Sequence, residues 1–222
     1  MDGIAIEGLT LALAEWRLFE NFDLKIAAGR VTAILGRSGV GKSTLLRAIA
    51  GLAKPQAGRI TRGGAVAWMA QNDLLLPWAS VLDNVVLGAL LRGEAVDYGR
   101  ARALLADVGL SAEADALPHR LSGGERQRVA LARTLMEDRE IVLMDEPFAS
   151  LDALTREEVQ ALAMKLLDGR TVVLVTHDPL EAASLADEIV VLNGRPARVA
   201  ARIETGGGSV VNAVRNALGA AP

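Results

Sequence analysis

The sequence predicts an α/β domain on a largely parallel central sheet, with an antiparallel β flank and an inserted α-helical subdomain. Three observations carry that expectation. The runs VTAIL (31–35), IVLM (141–144), TVVLV (171–175) and EIVVL (188–192) have the length and continuous apolarity of strands buried on both faces, and helical patterns separate several of them. Residues 4–28 read instead as an antiparallel meander beside that sheet. Between residues 80 and 137 no strand pattern occurs, and SVLDNVVLGALLRG, DYGRARALLADVG and the segment after Gly124 are helical in pattern.

At 222 residues the chain fits a single domain with a core large enough to need no disulfide. The expected division is a core of residues 1–79 and 138–203, a helical segment 80–137 and a tail 204–222. Glycines at 206–208 break the chain before VVNAVRNAL, an amphipathic stretch read as a packed or frayed terminal helix. Cysteine is absent, which suits a reducing compartment without requiring one. A net charge of −3 leaves no global electrostatic footprint for nucleic acid, so no nucleic-acid partner is expected. Every apolar run is broken before the roughly 18 residues a membrane span needs, and MDGIAIEG does not read as a signal peptide.

GRSGVGKST, comprising Gly36, Arg37, Ser38, Gly39, Val40, Gly41, Lys42, Ser43 and Thr44, follows one predicted strand and precedes the helical pattern LLRAIAGL. Strand, glycine-rich loop and helix together turn backbone N–H groups onto phosphates at a helix start that already favours negative charge. Lys42 would reach the outer phosphates, and the Ser43 hydroxyl suits Mg²⁺. Downstream, IVLMDEP puts Asp145 and Glu146 at the carboxyl end of a buried strand. Asp145 suits the Mg²⁺ shell, and Glu146 is placed to polarise the water that attacks a γ-phosphate. His177 ends another core strand, where an imidazole can hydrogen-bond that phosphate or water, whereas His119 reads as an ordinary loop residue.

LSGGERQ opens a second anion-suited helix start, with Ser122 as N-cap and Glu125 three residues on in a capping-box pattern. A helix over residues 124–137 would be about 20 Å long at 1.5 Å per residue and would feed the strand carrying Asp145. Ser122 and its glycines are then expected to face another chain's nucleotide. The economical arrangement is a head-to-tail pair in which each loop completes the partner's half-site.

In this order and at this spacing the motifs resemble those of the ATP-binding cassette family through nearly the whole chain. GRSGVGKST resembles the Walker A motif, AWMAQND with Gln71 the Q-loop, LSGGERQ (Leu121, Ser122, Gly123, Gly124, Glu125) the signature, IVLMDEP Walker B, and VTHD with His177 the switch histidine. SLD, with Ser150 and Asp152, resembles the D-loop. The resemblance implies a P-loop NTPase fold with a RecA-like core, ATP hydrolysis with Mg²⁺, a Gln71 that senses Mg²⁺ and the γ-phosphate, and an Asp152 that communicates across a cassette dimer of identical chains. One departure stands out. The family stacks adenine on an aromatic residue upstream of Walker A, and counting back reaches Leu13 instead. Either Trp16 is shifted into that place by the preceding turn, or adenine rests on an aliphatic surface.

The stretch LLPWASVLDNV is similar to importers of the nitrate, sulfonate and taurine type and to related importers of thiamine precursors. That similarity implies a separate transmembrane permease docking near Trp78, a solute-binding protein acting indirectly, and a peripheral position on the cytoplasmic face of the cell membrane. Cassettes of chromosome maintenance or repair carry a long coiled-coil insertion, while here only 50 positions separate Gln71 from Leu121. Translation-associated cassette proteins carry two cassettes per chain and fused exporters carry spans, and neither pattern occurs. The solute itself is not legible, because this subunit does not contact it.

Overall fold

The computed structural model describes residues 3–13, 15–206 and 210–219. In chain order the elements are β1 (Ile4–Leu13), β2 (Trp16–Ile26), β3 (Val31–Gly36), α1 (Lys42–Ala50), β4 (Ala57–Arg62) and β5 (Val66–Met69). The helices α2 (Val81–Val85), α3 (Leu87–Arg92), α4 (Tyr98–Asp107) and α5 (Gly123–Met136) follow, with 3₁₀ turns at Ser111–Glu113 and Pro118–Arg120. Then come β6 (Ile141–Asp145), α6 (Ala153–Leu166), β7 (Thr171–Val175), α7 (Pro179–Leu185), β8 (Glu188–Asn193), β9 (Arg198–Glu204) and α8 (Val210–Gly219). Gly207 and Gly208 of the expected chain break lie outside the described residues.

The chain forms two units: residues up to Val66 with Glu140–Glu146 and residues from Gly169 onward, and a second of Ala67–Arg139 with Pro147–Asp168. The second unit is broader than the helical segment 80–137. It takes in α6 as well, because Pro147 turns the chain away from β6 and the next fourteen-residue helix packs against α5.

In the first unit the strands run β6, β7, β3, β8, β9. β3 pairs in parallel with β7 and with β8, β6 pairs in parallel with β7, and β9 closes the edge antiparallel to β8. All five residues of β6 and of β7 are buried. That is why these strands read as unbroken apolar runs rather than as alternating ones. The flank is a three-stranded antiparallel sheet ordered β2, β1, β4. Along β1 the buried residues are Ile4 and Ile6, then Leu9 and Leu11. The phase slips by one at a bulge after Ile6, where Gly8 takes a left-handed φ of 59°, and the slip keeps the apolar face inward. The tail helix α8 is docked: Val210 and Val214 pack with Ala33, Leu35, Ile189 and Val191. Each buried valine contributes roughly 1.5–3 kcal/mol relative to exposure.

In the second unit α5 packs against α2 and α4. Its inward face carries Val129, Ala130, Leu131, Ala132 and Leu135, all buried. Its 14 residues match the length expected from the sequence.

Candidate active site

Strand register brings the first set of candidate residues to one edge. Val175 of β7 pairs with Ile34 of β3 on one side and with Asp145 of β6 on the other. The residues that follow are therefore the phosphate loop, Glu146, and Thr176 with His177, all leaving the carboxyl ends of neighbouring parallel strands. Two glycines of the loop are sterically required. A Cβ on Gly36 would stand 2.7 Å from the Leu192 carbonyl oxygen, and Gly41 sits at a φ of 111° with its missing Cβ 2.8 Å from the Phe19 ring. Gly41 caps α1 without a side chain, so the first-turn N–H groups of that helix have no intrahelical acceptor and are turned toward an incoming anion.

Lys42, only 8% exposed, folds back so that its Nζ donates to the carbonyls of Gly36 at 2.8 Å and Arg37 at 3.3 Å. Burial lowers its pKa, and the charges of Glu146 and Asp145 oppose that shift. Asp145 is also buried, which raises its pKa; the hydrogen bond from Ser43 pulls the other way, and Glu146 pushes it further up. Asp145 Oδ1 has no hydrogen-bond partner among the described residues. A buried, unsatisfied carboxylate oxygen beside a serine hydroxyl is an oxygen-only donor set of the kind Mg²⁺ takes, with most of the shell left to water and phosphate.

Glu146 occupies a left-handed conformation with φ 48°, strained for a residue with a Cβ by about 1–3 kcal/mol. Its N–H donates to the Val175 carbonyl at 2.9 Å, and that bond anchors the strained residue to the end of β7. From there Oε1 lies 3.4 Å from His177 Nδ1. The carboxylate is largely covered and the imidazole mostly open, with side-chain exposures of 20% and 67%. The imidazole is thus steered by a fixed partner while its other edge faces solvent.

Trp16 is 66% exposed, so it is not a core tryptophan. With Leu13, Leu18, Gly39, Pro196 and Arg195 it lines an open cavity of about 480 Å³ beside the phosphate loop. Both of the positions raised by the missing upstream aromatic, Leu13 and Trp16, face the same space.

The second unit gathers the remaining candidates. Gln71 is exposed at the start of the loop after β5. Ser122 caps α5: its Oγ accepts from Glu125 N at 3.3 Å, and Glu125 Oε2 accepts from Ser122 N at 2.7 Å. That second bond, the largest cause, holds the Glu125 carboxyl below its ordinary pKa. Leu121 is buried beneath this cap. Ser150 and Leu151 lie against it, since a Cβ on Gly124 would come within 3.4 Å of Leu151 and 3.5 Å of the Ser150 carbonyl. Asp152 caps α6 by accepting from Thr155 N at 3.1 Å.

The loop after Gln71 is held by side chains that sequence reasoning missed. Arg126 Nε donates to Asp73 Oδ2 at 3.0 Å, Arg133 donates to the carbonyls of Asp73 at 2.5 Å and Leu74 at 3.0 Å, and the buried Asn84 bonds both the N–H and the C=O of Leu76. These contacts hold the loop so that Leu74, at a φ of 49°, and Trp78 stay 58% and 75% exposed. In the sequence Arg126 and Arg133 are simply polar positions of a helix, with no local sign of their partners.

A family profile described as ABC transporter matches residues 19–149, more than half of the chain. The chain belongs to the ABC transporter family. This ABC cassette is 47% identical over 193 residues to an aliphatic sulfonates import ATP-binding protein of Streptomyces avermitilis, across 85% of this chain and 76% of the relative. It is 49% identical over 199 residues to an aliphatic sulfonates import ATP-binding protein of Nocardia farcinica, across 89% and 78%. Its fold matches a dimeric ATP-binding cassette in a post-hydrolysis state bound to ADP and Pi, with a TM-score of 0.83 at 30% identity, over 92% of this chain and 100% of the other. The ABC cassette is an ATP-binding, ATP-hydrolysing subunit. No described helix is long and apolar enough to cross a membrane.

Proposed function

We propose that the cassette pairs head-to-tail with an identical copy around two ATP molecules with Mg²⁺ and drives a separate permease that imports a small anionic solute of the sulfonate type. The observation that supports the chemistry most is the shared strand edge at which Lys42, Asp145, Glu146 and His177 converge. ATP lies on the phosphate loop, its outer phosphates held by Lys42 and by the N–H groups opening α1. Arg37, Ser38, Gly39 and Val40 line its path, and Trp16 stacks the base. Ser43 and Asp145 would hold Mg²⁺, which would supply charge neutralisation on the phosphates, and Gln71 is proposed as its further ligand and sensor. Glu146 accepts a proton from water as the water oxygen bonds the γ-phosphorus. The bond from that phosphorus to the bridging oxygen breaks, leaving ADP and phosphate. His177, oriented by Glu146, donates to the γ-phosphate as charge builds there. Leu121 to Glu125 of one copy close over the nucleotide of the other, with Ser150 and Asp152 beside them.

The importer assignment rests on the relatives' names and on the exposed Trp78 loop, which offers an apolar contact for a membrane partner. A solute-binding protein acts through the permease, and the cassette sits peripherally on the cytoplasmic face of the membrane. The test is to purify the tagged chain from detergent-solubilised host membranes and identify by mass what accompanies it. A multi-spanning permease whose reconstituted complex takes up sulfonates is the expected result. Soluble partners or nucleic acid alone would remove the transport reading and leave the ATPase.

A further inference from the structure

We infer that Arg195 reads the nucleotide base and opens the cassette to guanine as well as adenine nucleotides. The inference rests on the proposed role of Trp16 as the stacking platform.

Arg195 follows the β8 strand in the turn to β9, 156 positions from Gly39 of the phosphate loop. In space its guanidinium carbon lies 5.8 Å from the centre of the Trp16 ring, within cation–π range. Its Nη2 donates to the carbonyl of Gly39, inside the phosphate loop, across 3.5 Å. That is the long limit of a hydrogen bond, so the guanidinium is placed without being locked. A second cavity of about 360 Å³, lined by Arg37, Ser38, Val40, Asn193 and Gly194, lies along the same side chain, so Arg195 stands between two open spaces flanking the loop. A base stacking on Trp16 must meet this guanidinium at its face or its edge.

The chemistry of the wall then decides which base is served. Polar side-chain groups among the described lining residues are the Trp16 N–H and the guanidinium groups of Arg17 and Arg195; Leu13, Leu18 and Pro196 are apolar. Arginine carries five donors and no acceptor. Adenine's exocyclic amine needs an acceptor, which these side chains do not supply; among the lining backbone groups the Gly39 carbonyl already accepts from Arg195. Guanine presents O6 and N7 side by side, the pair to which a guanidinium binds through two hydrogen bonds. A wall whose polar side chains only donate therefore stacks adenine and adds side-chain hydrogen bonds to guanine.

The test is steady-state hydrolysis of ATP and GTP by the purified full-length chain with Mg²⁺. Wild type is expected to use GTP with a kcat/KM within about tenfold of that for ATP. Arg195→Ala is expected to lower kcat/KM for GTP relative to ATP by about five- to hundredfold, the range for one bidentate base contact. The loss should fall on KM rather than kcat. Arg195→Lys, which keeps the charge but not the fork, is expected to lose GTP in the same way. An unchanged GTP to ATP ratio in both variants overturns the inference. Trp16→Ala separates the two readings: raised KM for both nucleotides with no ratio change at Arg195 sinks the Arg195 role alone, whereas unchanged KM for both removes the platform as well.

Discussion

The two units use their polar groups in opposite ways. In the first, Lys42 and Asp145 are buried, their pKa values are displaced by burial, Asp145 Oδ1 lacks a partner among the described residues, and Glu146 is held at a strained φ. In the second, the signature and D-loop residues are satisfied: Ser122 and Glu125 cap each other, and Asp152 caps its own helix. Groups left wanting charge compensation are ready for ligand and chemistry. Groups already satisfied locally form a finished surface, ready to be laid against something else. The contrast fits the proposed head-to-tail pairing, in which the signature of one copy is laid on the nucleotide of another.

The sharpest way to break this comparison is Glu146→Gln. Removing the proton acceptor should lower ATP turnover by about 10²–10⁴-fold with ATP binding retained, as a filter-binding assay alongside phosphate release would show. Near-normal turnover would mean the strained carboxylate is not the base.

The next test addresses the lid. Lys42→Ala and Ser122→Arg chains are each expected to be nearly inactive alone. An equimolar mixture should recover activity, because a mixed dimer rebuilds one intact site of two and about a quarter of all sites are then complete. Inactivity at every mixing ratio would place the signature's action within its own chain.

A third variant bears on the loop that Arg126 and Arg133 hold in place. Trp78→Glu should abolish co-purification of the permease while ATP affinity and thermal unfolding stay as in wild type, since the indole is exposed. A large drop in Tm instead would show that the indole packs the unit.

The smallest effect concerns the cap. Ser122→Ala should cost the unliganded chain about 1 kcal/mol, a fall in Tm of roughly 2–4 °C for a chain this long. Glu125 adds a pH signature. Its folded pKa lies below its unfolded one, so its contribution is complete above the ordinary carboxylate range and is lost as pH falls through the lowered value. The Tm gap between wild type and Glu125→Ala should therefore close in acid; a gap independent of pH would disprove the capping carboxylate.

Much of this arrangement was legible in the chain. The buried strands fell where continuous apolar runs stood, and their carboxyl ends carried Gly36, Asp145 and His177 because a parallel sheet presents its strand ends on one edge. The edge strand β9, RVAARIE, is harder to read in the sequence, since adjacent Ala200 and Ala201 blur its alternation of charged and apolar residues. The wider second unit was hidden for a related reason: α6 has the same helical pattern wherever it packs.

By itself the sequence determined the motif chemistry and the strand order's raw material, because glycine spacing, buried apolar runs and cap residues act over a few neighbouring positions. Only the tertiary structure decided which residues share a space. Trp16 and Arg195 lie at opposite ends of the chain, yet the ring and the guanidinium come within 5.8 Å of each other. Asp73 is joined to Arg126 across more than fifty positions of sequence. Such pairings follow from long-range packing of elements, which leaves no local periodicity in the residues it brings together.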